Sequence, residues 1–257
     1  MLDLGWFRHE SPSVITPRMF ALDTFNLAVR TTELSPHVVA RWQERSGGLV
    51  RWLGRRPLNV VRQREGDFAV DDRVIGAADG VLLVGYWQSE AYFSDARDVI
   101  RSELRFPGLS SAYTQSESTV ANPSAVSVHV RRGDYVTSPQ TNAVHGALGV
   151  DYYRRALAHV ANRVSKPSFI VFSDDPEWVE RELARELPLT VVSGGDPVQE
   201  LGLMSRCTHH VIANSSFSWW GAWLGEREGS VIVAPERWFA DPNVETRDIV
   251  PARWRRL

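Results

Sequence analysis

The chain has 257 residues, enough for one large domain or two modest ones, and either arrangement can bury most of its apolar surface. Its 43% hydrophobic and 23% charged residues are typical of a soluble globular protein and exclude a disordered or fibrous one. The net charge of −2, with acidic and basic residues interspersed, argues against nucleic acid as a partner.

Location is constrained by what the sequence lacks. The first residues, MLDLGWFRHESP, have no basic region followed by an apolar one, so we expect no signal peptide. No apolar run approaches the roughly 18 residues of a membrane helix. A single cysteine, Cys207, excludes an internal disulfide and fits a reducing compartment. We therefore expect a soluble, cytoplasmic protein without a membrane span.

The first half of the chain shows an irregular mixture of strand and helix patterns. TPRMFALDTFNLAV (16–29) contains a strand-like core, and HVVARWQERSGGLVRWL (37–53) has a helical pattern up to Gly47 and Gly48. GVLLVGYWQ (80–88) predicts a buried strand. SEAYFSDARDVIRSELRF (89–106) predicts a helix that Ser89 could cap.

A hydroxyl-rich segment then separates two regions. PGLSSAYTQSESTVANPS (107–124) has no apolar periodicity and predicts an interdomain linker. We therefore divide the chain into an α/β domain at 1–122, linker included, and a second α/β domain at 123–257.

The second domain alternates regularly between strand and helix patterns. Such alternation predicts a parallel sheet covered by helices on both faces. Its predicted strands are AVSVHV (125–130), PSFIVFSDD (167–175), LTVVSGG (189–195), HHVIAN (209–214) and GSVIVAP (229–235), and its predicted helices are VDYYRRALAHVANRV (150–164), PEWVERELAREL (176–187), VQELGLMSRC (198–207) and FSWWGAWLG (217–225).

Three polar clusters follow strands of this sheet. HVRRGDY follows the first strand, SDD follows the second, and NSSFS follows the fourth. Because ligands of open α/β sheets bind beside the carboxyl ends of the strands, we expect the three clusters to converge in space.

The first cluster suits an anion. Arg131 and Arg132 offer planar forks of donors that match phosphate oxygens, and Asp134 could orient a guanidinium or accept sugar hydroxyls. Gly133 allows a sharp turn or a close approach of the backbone. The alternative is a surface Arg–Asp pair that only closes the strand.

The other two clusters combine capping with ligand binding. Ser215 and Ser216 precede a helix whose tryptophans we assign to the core, and a helix N-terminus favours anions. We predict that these serines both cap the helix and bind phosphate. Asp175 is better placed to cap the helix that starts near Pro176, which leaves Asp174 for a ligand.

Several kinds of chemistry are disfavoured. The adjacent His209 and His210 should point to opposite faces of a strand, so we predict no metal site. Cys207 fits an inert core thiol. The sequence contains no GxSxG, GxxxxGK[ST] or GxGxxG motif. What remains is a pyrophosphate-sized anion site without a protein nucleophile, which suits a nucleotide-sugar transferase.

The ordered segments TPRMFALDTFNL, GYWQSEAYF, HVRRGDYV, DYYRRAL, FIVFSDDPEWV, LMSRC, IANSSFSWWGAWLG and VIVAPERWF cover nearly the whole chain. They resemble the bacterial α-1,2-fucosyltransferases of glycosyltransferase family 11. The resemblance implies a GT-B-like enzyme with two Rossmann-like domains, of which the C-terminal one binds the nucleotide sugar and the N-terminal one lies on the acceptor side. It also implies inverting transfer of L-fucose from GDP-L-fucose to the 2-hydroxyl of a terminal galactose on an oligosaccharide or glycolipid, without metal or cofactor.

By the same resemblance, Arg131 would meet the β-phosphate and stabilise the departing GDP, with Asp134 as its catalytic partner. His129 and Arg132 would line the pocket, and Asp174 would contact the nucleotide. The phosphate and the base would be held by Ser215, Ser216 and Phe217.

Family members usually begin with a strand and a glycine-rich GGLGNQ-type loop, and no GNQ tripeptide occurs in this sequence. We therefore expect an incomplete first domain. Two alternatives follow: a catalytically silent protein that still binds GDP-fucose, and a transferase for another sugar nucleotide. A second departure is Glu200, where the family usually has an aspartate.

Overall fold

A computed structural model describes residues 2–3, 21–25, 27, 30–32, 59–106, 108, 110–111, 113–185, 188–192 and 195–257. The chain divides into two units. The first comprises Met1–Arg105 with Arg247–Ile249, and the second comprises Phe106–Thr246 with Val250–Leu257. The domain division predicted at residue 122 stays a prediction.

The first unit contains two short parallel strand pairs and two helices among its described residues. The elements are β1 (Leu2–Asp3) paired with β2 (Thr31–Thr32), β3 (Asn59–Arg62) paired with β4 (Val81–Val84), and helices α1 (Asp72–Ile75) and α2 (Arg97–Glu103). The strand predicted within 80–88 is present as β4, but it is half-buried, with Leu83 exposed, and not buried as expected.

Two expectations for the first unit change. Within 16–29, the described residues contain a 3₁₀ turn at Leu22–Thr24, and the helix predicted from residue 37 lies outside the described residues. The helix predicted over 89–106 begins as two 3₁₀ turns, and its α-helical part is α2. Ser89 does cap this segment, because its hydroxyl accepts from the N–H of Ala91 at 3.3 Å.

A six-stranded parallel sheet forms the second unit. Its strands are β5 (Ala125–Val130), β6 (Ser168–Ser173), β7 (Leu189–Val192), β8 (His209–Val211), β9 (Ile232–Ala234) and β10 (Arg255–Arg256). Their order across the sheet is β10-β9-β8-β5-β6-β7, and each neighbouring pair runs parallel. Counted within the unit this is 6-5-4-1-2-3, the order of a doubly wound fold. The predicted parallel sheet is confirmed, and β10 is a strand that the sequence patterns missed.

Helices connect the strands of the second unit. They are α3 (Thr114–Val120), α4 (Gly133–Thr137), α5 (Pro139–His145), α6 (Val150–Ala161), α7 (Pro176–Glu182), α8 (Pro197–Arg206) and α9 (Ser216–Gly225). Three of them start with proline after a side-chain cap, from Ser138, Asp175 and Asp196. A first-turn proline lacks only an N–H that the helix would leave unbonded, so these starts are sharply defined.

Both faces of the sheet are buried. Every residue of β5 is inaccessible or nearly so. Alternate side chains of β5 and β6 reach opposite faces. One face packs against α6, through Tyr153, Leu157 and Val160, and the other packs against Leu203 and Met204 of α8. This two-sided burial explains why the strands read as continuous apolar runs.

The segment predicted as a linker contains helix α3. Its sequence is rich in hydroxyls, yet Tyr113 and Val120 are buried in the cluster that contains α8. The Tyr113 hydroxyl also accepts from the N–H of Asp196 at 3.1 Å. Two buried apolar side chains are too few to produce a helical periodicity of apolar residues, which is why the sequence pattern missed this helix.

Helix α9 packs closely against its neighbours through glycines. A Cβ on Gly221 would lie 3.0 Å from the Cβ of Met204, and one on Gly225 would lie 2.7 Å from the carbonyl oxygen of Ser205. Trp219 and Trp223 are buried, as predicted, and their rings stack 6.2 Å apart.

A buried polar pair joins the central strands β5 and β8. The Ser127 hydroxyl lies 2.7 Å from Nδ1 of His210, and both residues are fully buried. His209 faces the other way, and its Nδ1 accepts from the N–H of Val231 at 3.0 Å. Burial, with a smaller contribution from Arg227, lowers the pKa of His210 to about 3. The imidazole is therefore neutral in the folded protein.

This neutral histidine makes the fold sensitive to acid. In the unfolded chain His210 binds a proton near pH 6.5, but in the fold it does not until about pH 3. Between those values the unfolded state holds one more proton, so the free energy of unfolding falls by about 1.4 kcal/mol for each pH unit of acidification. Urea unfolding of His210→Asn between pH 7 and 4 should show lower stability at pH 7 but a shallower pH dependence than the wild type. Parallel profiles would contradict this assignment.

Candidate functional site

The order of the strands creates a crevice between β5 and β8. The chain leaves β5 towards β6 on one side and leaves β8 towards β9 on the other. Ligands of doubly wound sheets bind at this switch point, beside the carboxyl ends of the strands. The three polar clusters follow β5, β6 and β8, which are neighbours, so their predicted convergence at one edge of the sheet is confirmed. The rings of His129 and Phe217 lie 5.4 Å apart and link the end of β5 to the first turn of α9.

Two carboxylates hold the Arg131 guanidinium. Nη2 donates to Oδ1 of Asp134 at 2.5 Å, and Nη1 lies 2.7 Å from Oδ2 of Asp174. The side chain is 23% exposed, so the fork is fixed but reachable from solvent. A guanidinium has five donors, and these two bonds leave others for the oxygens of a ligand.

Asp174 also organises the backbone after β5. Its Oδ1 accepts from the N–H of Arg132 at 2.7 Å. A Cβ on Gly133 would lie 2.7 Å from Asp174 Oδ2, so only glycine fits at this position without displacing the carboxylate. Asp174 was predicted to contact a ligand, and in the structure it bonds to the two arginines.

Arg132 is engaged with the helix that follows β6. Its Nε donates to Oδ2 of Asp175 at 3.0 Å, and its guanidinium lies 4.4 Å above the ring of Trp178. Asp175 accepts from the Trp178 N–H at 3.1 Å, which confirms its predicted role as the cap of α7. Arg132 is thus anchored on α7, whereas Arg131 is held by carboxylates that follow β5 and β6.

The first turn of α9 differs from the prediction. Ser215 occupies the capping position, but neither its hydroxyl nor that of Ser216 bonds to the helix start. The Ser218 hydroxyl instead donates to the Ser215 carbonyl at 3.2 Å. The predicted hydroxyl cap is therefore wrong, because the helix begins without one. Ser216 is exposed and Phe217 is half-buried, so the N–H groups of this turn are the ones that a ligand could meet.

His129 is a neutral group beside this turn. It is 6% exposed, and its Nδ1 has no hydrogen-bond partner among the described residues. Burial is the main cause that lowers its pKa to about 4, while the charge of Asp174 opposes the shift and that of Arg131 adds to it. At neutral pH the imidazole of His129 is therefore uncharged and can form a hydrogen bond with a ligand.

Asn214 is a positioning residue that the sequence analysis overlooked. It is 2% exposed and its amide donates to the carbonyls of His145, Gly146 and Trp238, between 2.9 and 3.2 Å. Its backbone carbonyl accepts from the Tyr135 hydroxyl at 3.1 Å. An asparagine at the end of the apolar strand predicted over 209–214 was the available signal.

Other chemistry has little support in the described residues. They contain no group of three histidine, cysteine, aspartate or glutamate side chains arranged to hold a metal ion. Burial raises the pKa of Cys207 to about 12, which fits an unreactive thiol. In the part of the chain that the structure describes, no helix is long and apolar enough to cross a membrane. The cytoplasmic location stays a prediction.

The chain is similar in sequence to several known glycosyltransferases. An alpha-1,2-colitosyltransferase of Escherichia coli is 30% identical over 215 residues, which cover 81% of this chain and 74% of the relative. The O-antigen biosynthesis glycosyltransferase WbnK of the same organism is 34% identical over 173 residues, covering 64% of the chain and 57% of the relative. The mouse galactoside 2-alpha-L-fucosyltransferase Sec1 is 33% identical over 103 residues, only 28% of its length.

No solved structure matches the chain significantly. The family model for glycosyl transferase family 11 matches residues 69–257, which include all of β5 to β10 and the three polar clusters. The α/β architecture with its parallel sheet fits a Rossmann-like glycosyltransferase. Because the match extends over well more than half of its residues, this chain belongs to glycosyl transferase family 11.

Proposed function

We propose that the protein transfers L-fucose from GDP-L-fucose to the 2-hydroxyl of a terminal galactose, with inversion and without a metal ion. The observation that carries the proposal is the fixed guanidinium of Arg131 at the switch point of the sheet, beside a helix start that no side chain caps. A relative named as a galactoside 2-alpha-L-fucosyltransferase supports the choice of sugar and linkage.

The reaction would follow from this arrangement. The acceptor hydroxyl attacks the anomeric carbon from the face opposite the diphosphate, and the bond from that carbon to the β-phosphate oxygen breaks. The hydroxyl releases its proton to the solvent as the new bond forms. Negative charge then grows on the departing GDP. Arg131 stabilises it through charge-assisted hydrogen bonds, and the N–H groups of Ser216 and Phe217 add the positive end of α9.

The carboxylates beside Arg131 act as positioning groups in this scheme. Asp134 and Asp174 hold the guanidinium at 2.5 and 2.7 Å, so it needs no rearrangement when charge develops on the leaving group. Asp134 is a poorer candidate for the base that takes the acceptor proton, because its Oδ1 already accepts from the Arg131 guanidinium.

One observation favours a second donor. The colitosyltransferase of Escherichia coli is similar to 81% of this chain, over 74% of its own length. Colitose lacks one ring hydroxyl of fucose, and the diphosphate site described above does not distinguish the two sugars. Competition between fucosyl and colitosyl donors at equal concentration would separate the two activities.

The first prediction is the activity itself. The purified chain, incubated with GDP-L-fucose and a β-galactoside such as lactose, should release GDP and form a trisaccharide with fucose at the 2-position of galactose. Mass spectrometry and NMR of the product would establish the linkage. If calorimetry shows that GDP binds but no galactoside of a panel is fucosylated, the chain is a catalytically silent GDP-fucose-binding protein and not a transferase.

A second prediction concerns Arg131. Arg131→Ala removes a charge-assisted contact to phosphate, which is worth about 2 kcal/mol or more, so the Kd for GDP should rise about 30-fold. Arg185→Ala is the matched control, because Arg185 is exposed after the end of α7 and should leave affinity unchanged. Calorimetry measures both. Equal affinities for the two variants would place the anion site elsewhere.

A third prediction tests the close contact at Gly133. A Cβ there would collide with Asp174, and the carboxylate can move only by giving up its bonds to Arg131 and Arg132. Gly133→Ala should therefore weaken GDP binding and lower the Tm. Gly108→Ala is the control, because nothing lies within 4 Å of the Cβ position at Gly108. Unchanged GDP affinity in Gly133→Ala would show that Asp174 is dispensable for the position of Arg131.

A further inference from the structure

The first unit presents an exposed aromatic ring at the carboxyl ends of the parallel strands β3 and β4. We infer that Tyr86, backed by Phe68, is a binding platform for the galactose-terminated acceptor glycan. Tyr86 follows β4 directly after Gly85, and Gln63 is the first residue after β3. The carboxyl ends of parallel strands are where ligands of α/β proteins bind.

Gln63 fixes the backbone that presents the ring. Its side-chain oxygen accepts from the N–H of Tyr86 at 2.8 Å, and its side-chain nitrogen donates to the carbonyl of Asp67 at 3.0 Å. Its own N–H bonds to the Val84 carbonyl at 3.0 Å, which extends the strand pairing by one residue. Both strand ends are therefore tied together immediately below Tyr86.

The residues around Tyr86 are held in a tight conformation. Trp87 has a φ of 47°, in the left-handed region that bulky residues rarely occupy. A Cβ on Gly85 would lie 2.6 Å from the Cβ of Gln63 and 2.9 Å from the Trp87 ring. The Trp87 ring turns inward, edge-on to Tyr92 at 5.9 Å. Backbone strain of this kind is concentrated at functional sites, because folding alone gives no reason to maintain it.

The tight turn directs Tyr86 outward. Its residue is 75% exposed, the largest exposure among the large hydrophobic residues of the described chain. A single exposed aromatic is unremarkable on a protein surface. Here, however, the ring is rigidly presented and lies 6.4 Å from the half-buried ring of Phe68, so the two form a small aromatic surface.

A sugar ring is the ligand that this surface fits. One face of a galactose ring presents only C–H groups, which pack on an aromatic face, while the hydroxyls at its rim can bond to the tyrosine hydroxyl and to water. Neither Tyr86 nor Phe68 carries a charge, so the two rings themselves offer no group that pairs with a diphosphate. The choice of galactose rests on the proposed function, in which the charged site of the second unit accounts for the donor and leaves the acceptor without assigned contacts.

The test uses lactose as the probe and the full chain. In saturation-transfer NMR, the wild type and Tyr86→Phe should transfer saturation to the galactose protons, and Tyr86→Ala should lose most of that signal. In the transfer assay, Tyr86→Ala should raise the KM for lactose roughly tenfold. The kcat and the Kd for GDP should stay unchanged, because Tyr86 belongs to neither the leaving group's site nor its supports.

Val99→Ala is the matched control, since Val99 is 56% exposed on α2 of the same unit and should leave lactose binding unaltered. Absence of lactose saturation in the wild type, or equal saturation in Tyr86→Ala, would overturn the glycan platform whether or not fucose is transferred. Loss of saturation in Tyr86→Ala from a wild type that transfers no fucose would support the platform and refute the proposed function instead.

Discussion

The Asp174 carboxylate ties the ends of two neighbouring parallel strands together, and the polar edge of the sheet depends on it. One oxygen accepts the guanidinium of Arg131 and the other accepts the backbone N–H of Arg132. The approach is so close that a side chain at position 133 would displace the carboxylate. The direction of the Arg131 side chain, which follows β5, is therefore fixed by Asp174, which follows the neighbouring strand β6.

Much of this edge could be predicted from sequence because parallel strands bring their carboxyl ends to one side. The alternation of patterns was enough to place three clusters together, and Pro176 marked the start of α7 clearly enough to identify Asp175 as its cap. That Asp174 would bond to Arg131 could not be predicted, because the 2.7 Å contact joins residues that are 43 positions apart in the chain. The uncapped start of α9 was missed for a similar reason: a serine at the capping position forms the bond only if its rotamer allows it, and here Ser215 does not.

In the second unit, the buried histidines of the sheet are neutral, whereas the charged arginines lie at the ends of the strands. Ser127 and His129 lie on one face of β5, opposite the valines that pack on α6. The buried imidazoles of His129 and His210 have lowered pKa values, mainly because burial penalises their charged forms. Protonation of His129 would also be opposed by Arg131. Positive charge is thus confined to the strand ends, where a phosphate can reach it, and does not extend into the sheet.

The two units obtain rigidity at their strand ends by different means, and the difference matches the ligands proposed for them. In the second unit, ion pairs hold the Arg131 guanidinium in one orientation at a partly exposed edge, where an anionic ligand can reach it. In the first unit, a glutamine side chain bonds to the backbone and a strained tryptophan turns an aromatic ring outward. A neutral sugar gains nothing from a fixed charge but does gain from a ring already held in place, because ordering a free side chain would oppose binding. Gln63 and Trp87 can supply that order before the ligand arrives.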